Sequence, residues 1–204
     1  MRARGMTSDR MDGAAAALAA GDIDAALAAY RRALDDGTVD GVTGLLGLTI
    51  CHGRRRQWVA AESTLKSVIG LDPQSGIAYA YLGAVRLEQG KVEAACDDLD
   101  QALALAPADT LVRLKRGEAF FRLGRLSEAE AECREAVFLA DANPVIRDYA
   151  RTLLLGIRRE LARSLSRDIV APGAGLSRLW QGVRARFDRL DSPLAVDSTQ
   201  EGNV

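Results

Sequence analysis

The sequence has few of the side chains from which catalytic and metal sites are built. Its 204 residues include three cysteines, one histidine and only 5% aromatic residues. A metal site needs several converging Cys or His ligands, and acid–base catalysis uses histidine more often than any other side chain. Cys51, Cys96 and Cys133 are also too few and too far apart for a disulfide framework. We therefore expect them to be small core residues of a protein in a reducing compartment.

The sequence also lacks an excess of one charge and any long apolar run. Lys and Arg number 27 and Asp and Glu 28, a net charge of −1, so the basic excess of a generic nucleic-acid binder is missing. No segment has the roughly 18 consecutive apolar residues that cross a bilayer. The alanine-rich stretch 14–20 follows several arginines, but Asp12 and Asp22 bracket it and alanine is a weak residue for a signal core. We expect a soluble, cytoplasmic protein.

Catalytic motifs are missing as well. Neither GxGxxG nor GxxxxGK[ST], the two phosphate-binding loops, occurs. Cys51 and His52 are adjacent on a predicted helix, so their side chains diverge by about 100° and cannot act together as nucleophile and base. The acidic run Asp97, Asp98 and Asp100 is typical of a solvated helix face. The sequence therefore predicts a protein that is not an enzyme and holds no metal or cofactor.

An internal repeat of 34 or 35 residues dominates the sequence. An alanine recurs at this period: Ala26, Ala61, Ala95 and Ala129. Apolar or small residues follow each alanine by four and by seven positions, which is typical of one buried helix face. A glycine precedes three of the alanines by five positions: Gly21, Gly90 and Gly124. These glycines predict turns between two helices, and Arg56 takes the same place in the second unit.

The clearest unit, residues 79–107, reads YAYLGAVRLEQGKVEAACDDLDQALALAP and resembles the tetratricopeptide repeat (TPR) family. An aromatic residue, Leu-Gly, Gly, Ala, a larger apolar residue, Ala and Pro occur at the family's spacing. Four units are similar: residues 7–40, 42–75, 76–109 and 110–143. The resemblance implies an all-α solenoid of helical hairpins, which stack because one hairpin cannot bury both of its apolar faces.

The chain after the repeats divides into four parts. Residues 144–168 predict a long amphipathic capping helix, because Pro144 suits a first turn and apolar residues then recur every three or four positions. Residues 170–175 predict a linker, 176–190 a second amphipathic helix and 191–204 a disordered tail. Residues 144–190 carry ten arginines against four acidic residues. We interpret most of these arginines as the solvated face of the cap.

In TPR arrays the first helix of each unit lines a concave groove, and the resemblance places that groove on this chain. The residues that would line it are Met11, Leu18, Leu46, Ile50, Ala80, Tyr81, Ala84, Leu87, Leu114, Glu118 and Phe121. This surface is mostly apolar and lacks the Lys and Asn side chains of TPR domains that clamp a C-terminal carboxylate. It therefore favours an extended or helical apolar segment of another protein as its partner.

The predicted function is a non-catalytic protein-binding module, either a scaffold or a chaperone. Within the TPR family, residues 45–160 look most like the class II chaperones of type III secretion translocators. The alternative is peripheral association with an anionic membrane or nucleic acid through the arginine-rich C-terminal helices. The apolar face of 176–190 would form a second binding helix: Leu179, Trp180, Val183 and Phe187. The sequence leaves open whether this helix caps the array, fills the groove or binds a partner, and it leaves the oligomeric state open.

Overall fold

The computed structural model describes residues 13–140 and 143–166, and within these ranges it contains helices and no strand. The helices are α1 (13–19), α2 (Ile23–Asp35), α3 (Gly41–Arg54), α4 (Trp58–Leu71), α5 (Gly76–Glu88), α6 (Val92–Leu105), α7 (Thr110–Arg122), α8 (Leu126–Leu139) and α9 (Pro144–Ser166). The predicted all-α fold is confirmed. Met11 and the predicted segments 170–175, 176–190 and 191–204 lie outside the described residues.

Each hairpin turn uses a backbone conformation with positive φ. Gly21, Gly90 and Gly124 have φ of +79°, +77° and +74°, a region that glycine enters without steric cost. Arg56 occupies the equivalent turn with φ of +56°. Its turn closes in the same way, since the Gln57 amide donates to the His52 carbonyl at 2.9 Å. The second hairpin therefore has the same turn geometry as the others, although its turn residue is an arginine.

Aspartate side chains begin three of the helices. Asp22, Asp40 and Asp109 each accept a hydrogen bond at 2.9 Å from the backbone N–H three residues later. Such caps satisfy an amide that has no partner within its own helix. The hydrogen bonds from Thr43 also lower the pKa of Asp40. These caps fix where α2, α3 and α7 start.

The chain forms two compact units, which divide after Pro107. In the described part, unit 1 is residues 13–107 and contains α1 to α6. Its repeat alanines Ala26, Ala61 and Ala95 are fully buried. A Cβ atom on Gly83 would lie 2.7 Å from Leu99 Cγ, so glycine lets α5 pack closely against α6 at this point.

Unit 2 contains α7, α8 and α9, and α9 packs against both of the other helices. Gly117 has the same function as Gly83, because a Cβ atom there would lie 2.9 Å from Cys133 Sγ. The next position at the 34-residue step is Arg151 of α9, and this side chain is exposed. The glycine shared by Gly83 of α5 and Gly117 of α7 is therefore absent from the equivalent position of α9.

Candidate protein-binding surface

The cysteines and the histidine are buried between the helices and do not come together in a catalytic or metal site. The three cysteines are free and buried, and burial raises the pKa of the Cys51 thiol and takes that of Cys133 to about 12. His52 is also buried, and its Nδ1 lies 2.8 Å from Gln57 Oε1. Among the described residues no group of His, Cys, Asp or Glu has the arrangement of a metal site. No helix in the described part of the chain is both long and apolar enough to span a membrane.

The first helices of unit 1 form an uncharged surface. Helix α1 carries no charged side chain over residues 13–19, and in α3 and α5 the first charged residues are Arg54 and Arg86, both in the last turn. The accessible side chains predicted to line the groove are all half-buried: Leu18, Leu46, Ile50 and Ala80. Two further predicted residues, Tyr81 and Ala84, are buried, with 5% and 8% of their surface exposed, so the prediction that they face an open surface is wrong. We call the four accessible residues, Leu18, Leu46, Ile50 and Ala80, the unit 1 strip.

Three more apolar residues expected on an open groove are also buried. Leu87, Leu114 and Phe121 are 1%, 0% and 1% exposed. Helix α5 contacts both α4 and α6, and α7 contacts both α8 and α9, so only a narrow part of each first helix stays open. The prediction that these three side chains face an open surface is therefore wrong. A partner cannot touch them unless the helices move apart.

Glu118, another predicted groove residue, is part of a buried charge cluster in unit 2. Its carboxylate accepts hydrogen bonds from Lys115 Nζ at 3.1 Å and Arg122 Nη2 at 2.7 Å, both on its own helix. Tyr149 Oη on α9 donates to Glu118 Oε2 at 3.3 Å. Burial, and then the charge of Glu118, raise the pKa of Tyr149 well above 10. Glu118 thus joins α9 to α7. Its pairing with Lys115 and Arg122 could have been predicted from the sequence, because residues three and four positions apart are neighbours on a helix.

A second carboxylate binds the other cations of α7. Arg116 Nη2 lies 2.6 Å from Glu132 Oε1, and Arg113 Nη1 lies 3.6 Å from Glu132 Oε2. Arg116 also lies over the ring of Phe120, 5.8 Å from its centroid. The first helix of unit 2 is therefore covered with paired charges, unlike the first helices of unit 1. In the described residues the uncharged first-helix surface is confined to unit 1.

The acidic run on α6 divides between solvent and interior. Asp97 and Asp100 are exposed, as predicted, but Asp98 is only 7% exposed. Both oxygens of Asp98 accept from Arg86 Nη1 at 2.8 Å, so the solvated-face prediction is wrong for this residue. Side chains of adjacent helical residues point about 100° apart, so Asp98 reaches α5 while Asp97 faces solvent. Burial raises the pKa of Asp98 to about 6, although Arg86 acts in the opposite direction.

Arg86 also reaches the preceding hairpin. Its Nε lies 3.8 Å from Glu62 Oε1, and Glu62 accepts from Lys91 Nζ at 2.8 Å and pairs with Lys66 Nζ at 2.9 Å. The hydrogen bonds from Lys91 and Lys66 lower the pKa of Glu62 to about 2. One guanidinium group therefore lies between carboxylates of α4 and α6. This cluster supports the packing of the hairpins that carry the unit 1 strip.

Two arginines of α9 are hydrogen-bonded to carboxylates. Arg158 Nε bonds to Glu130 Oε1 of α8 at 2.7 Å, and Arg163 Nη1 to Glu160 Oε2 at 3.2 Å. These pairs agree with the interpretation of α9 as a solvated cap and reduce the positive charge that it offers to lipid or nucleic acid. The residues of the predicted second binding helix, Leu179, Trp180, Val183 and Phe187, lie outside the described residues.

Comparisons with known proteins identify the repeat. The tetratricopeptide repeat family matches residues 11–76, 52–110 and 82–144. The mouse protein DnaJ homolog subfamily C member 3 is 35% identical over 81 residues, which are 40% of this chain and 16% of the mouse protein.

Two solved structures share the fold. A thermophilic TPR protein of Thermus thermophilus is 20% identical, with a TM-score of 0.64 over 92% of this chain and 94% of that one. The Yersinia enterocolitica type III secretion chaperone SycD, solved with a peptide of the translocator YopD, is 18% identical, with a TM-score of 0.56 over 60% of this chain and 96% of SycD. The matched repeats cover more than half of the sequence, and their helices are those that the structure contains. The chain therefore belongs to the tetratricopeptide repeat family.

Proposed function

We propose that the chain is a non-catalytic protein-binding module, a scaffold or chaperone, that holds an apolar segment of a partner protein on the unit 1 strip. The observation that carries this proposal is the absence of charged side chains from the first helices of unit 1 before their last turns. The second helices of the same unit do carry charges, such as Glu62 and Lys66 on α4. An uncharged surface next to charged ones favours an apolar ligand.

The geometry suits small apolar anchors. Leu46 and Ile50 are one helical turn apart on α3, and both remain half-buried and accessible. Covering them would contribute about 25 cal/mol for each Å² of apolar surface removed from water. An extended or helical peptide with apolar residues at matching intervals has the right form. The complex of SycD with a translocator peptide supports a protein segment as the ligand class.

The cellular location is part of the same proposal. Three free, buried cysteines suit a reducing compartment, so we place the protein in the cytoplasm. Association with an anionic membrane or nucleic acid is the weaker alternative, because Arg158 and Arg163 of α9 are hydrogen-bonded to carboxylates.

A random peptide library displayed on phage provides a direct test. The wild-type protein should enrich peptides with several apolar residues, and synthetic copies should bind in fluorescence anisotropy. Leu46→Asn and Ile50→Asn should each weaken binding at least tenfold, with helical circular dichroism retained. Val59→Asn is the matched control, because Val59 is an exposed apolar residue of the second helix α4. Equal binding by all three variants would contradict the proposal, as would enrichment of peptides without apolar residues.

A further inference from the structure

The outer face of α8 carries an aromatic side chain that no other repeat has at that position. Phe138 is 74% exposed and lies nine residues after the repeat alanine Ala129. The residues nine positions after the other repeat alanines are Asp35, Gly70 and Ala104. They are small or acidic, as expected of a solvated helix face. Phe138 therefore gives α8 a large exposed apolar side chain at a position where α2, α4 and α6 have none.

Charged residues share this side of α8 with Phe138. We define the α8 outer face by five of its exposed residues: Glu128, Ala131, Arg134, Glu135 and Phe138. Glu128 pairs with Arg125, while Arg134 and Glu135 lie within about one helical turn of Phe138. A ligand that carries an apolar side chain about one turn from a cationic one would match Phe138 and Glu135.

The chain itself contains such a ligand beyond the described residues. The sequence predicts that residues 176–190 form an amphipathic helix with apolar residues that include Trp180, Val183 and Phe187. Four arginines and one aspartate occupy the rest of the segment. A helix of 15 residues is marginal in water unless its apolar face packs against something. Its apolar residues could cover Phe138, and one of its arginines could pair with Glu135.

The length of the chain permits this contact. The Arg158–Glu130 bond shows that α9 passes α8 near Glu130, and α9 continues for eight residues to Ser166, about 12 Å. Residues 167–175 can span up to about 30 Å when extended. A helix over 176–190 would be about 22 Å long, and the 14 residues of α8 measure about 21 Å. The segment can therefore return and lie along α8.

The other exposed apolar side chains of unit 2 form a poorer site. Leu155 and Val145 on α9 are 57% and 50% exposed. Arg151, Arg158 and Arg159 are exposed on the same helix. An arginine-rich segment would meet like charges on that side.

We propose that residues 176–190 pack as a helix on the α8 outer face, where Trp180 and Phe187 cover Phe138 and an arginine meets Glu135. This contact is independent of the unit 1 strip. It would shield Phe138 from water and leave the proposed peptide surface open.

Trp180 fluorescence in the full-length chain tests the contact. The sequence has two tryptophans, so Trp58→Phe leaves Trp180 as the single emitter. In that background the emission should be blue-shifted relative to free tryptophan and protected from acrylamide. Phe138→Ser should shift the emission to the red and restore quenching, and Glu135→Lys should do so in part. Leu155→Ser is the matched control and should change neither quantity, because it removes an exposed apolar residue of α9.

Several results would overturn the proposal. One is Trp180 emission like that of free tryptophan before Phe138 is changed. Another is a red shift caused by Leu155→Ser and not by Phe138→Ser, since the segment would then lie on α9. A blue shift that disappears on dilution would show docking on a second copy of the chain. Circular dichroism of each variant establishes that the array remains folded, as expected for changes at exposed positions.

Discussion

Tyr149 of α9 donates a hydrogen bond to Glu118 of α7 across 3.3 Å, and the carboxylate that accepts it is 1% exposed. Lys115 and Arg122 balance the negative charge from the same helix as Glu118. A buried carboxylate is tolerated only when it is paired and hydrogen-bonded. This contact joins α9 to α7, in addition to the packing of the fully buried Ala150, Leu153 and Ile157 of α9.

Removing the carboxylate should therefore destabilise the protein strongly. We expect Glu118→Ala to lower the free energy of unfolding by about 3 to 5 kcal/mol, because it leaves two largely buried cations without their partner. Tyr149→Phe removes one hydrogen bond and should cost about 1 to 2 kcal/mol. Urea denaturation measures both. A Glu118→Ala variant no less stable than Glu93→Ala, which removes an exposed carboxylate of α6, would contradict the assigned pairing.

Much of the fold could be predicted because the same pattern of residues recurs in each repeat. Ala26, Ala61, Ala95 and Ala129 fix the register of the second helices, and all four are fully buried. Contacts within one helix, such as Glu118 with Arg122, also follow from spacing. The Tyr149–Glu118 contact could not be predicted, because its residues are 31 positions apart on helices whose relative rotation the pattern does not specify.

Asp98 should give the protein a pH dependence in the acidic range. Its pKa rises from 3.8 to about 6 on burial, so between these values the folded state holds a proton that the unfolded chain releases. The resulting stability is present at acidic pH and is lost as the pH rises through about 6.

The variant Asp98→Asn removes this titration. Between pH 4 and pH 7 the wild type should lose up to roughly 3 kcal/mol of stability relative to the variant. Urea denaturation across the range measures the difference. Glu62, whose pKa is lowered to about 2, loses its stabilising effect at lower pH and does not produce the same trend. Parallel stability curves for wild type and variant would show that the buried Asp98 does not titrate as stated.

Replacing Arg56 with glycine should stabilise the protein. Its φ of +56° lies in the left-handed region, which costs a residue with a Cβ atom about 1 kcal/mol. Arg56→Gly should therefore raise the melting temperature, with a gain of up to about 1 kcal/mol. Gly90→Ala is the reverse change at the equivalent turn, where only the φ of +77° opposes a side chain. A loss of stability in Arg56→Gly would mean that the arginine side chain contributes more than its backbone costs.

Two helical glycines should respond in opposite directions. Gly83→Ala would place a Cβ atom 2.7 Å from Leu99 Cγ, so we expect a loss of about 1 to 3 kcal/mol from overpacking. Gly70 lies in the exposed part of α4 with no neighbouring atom within 4 Å of such a Cβ. Gly70→Ala should gain roughly 0.5 to 1 kcal/mol from helix propensity. Thermal unfolding compares the two, and equal shifts would contradict the close approach of α5 to α6.

The proposed binding surface was only partly predictable from the repeat. The register identified Leu46 and Ile50 on the first-helix face, and both are accessible. It could not show that Leu87 and Phe121, at equivalent positions of α5 and α7, are covered, because burial depends on how closely neighbouring helices stack. Nor does the repeat indicate that unit 2 replaces the uncharged surface with the paired charges of α7.

Methyl chemical shifts would test the proposed function most directly. The protein is labelled at Leu, Ile and Val methyl groups and titrated with an apolar peptide selected from the library. We predict the largest changes at Leu46 and Ile50, with Val59 on α4 and Leu155 on α9 unchanged. Saturable changes at Val59 or Leu155 without any at Leu46 and Ile50 would show that the peptide binds elsewhere, and would contradict the unit 1 strip as the binding surface.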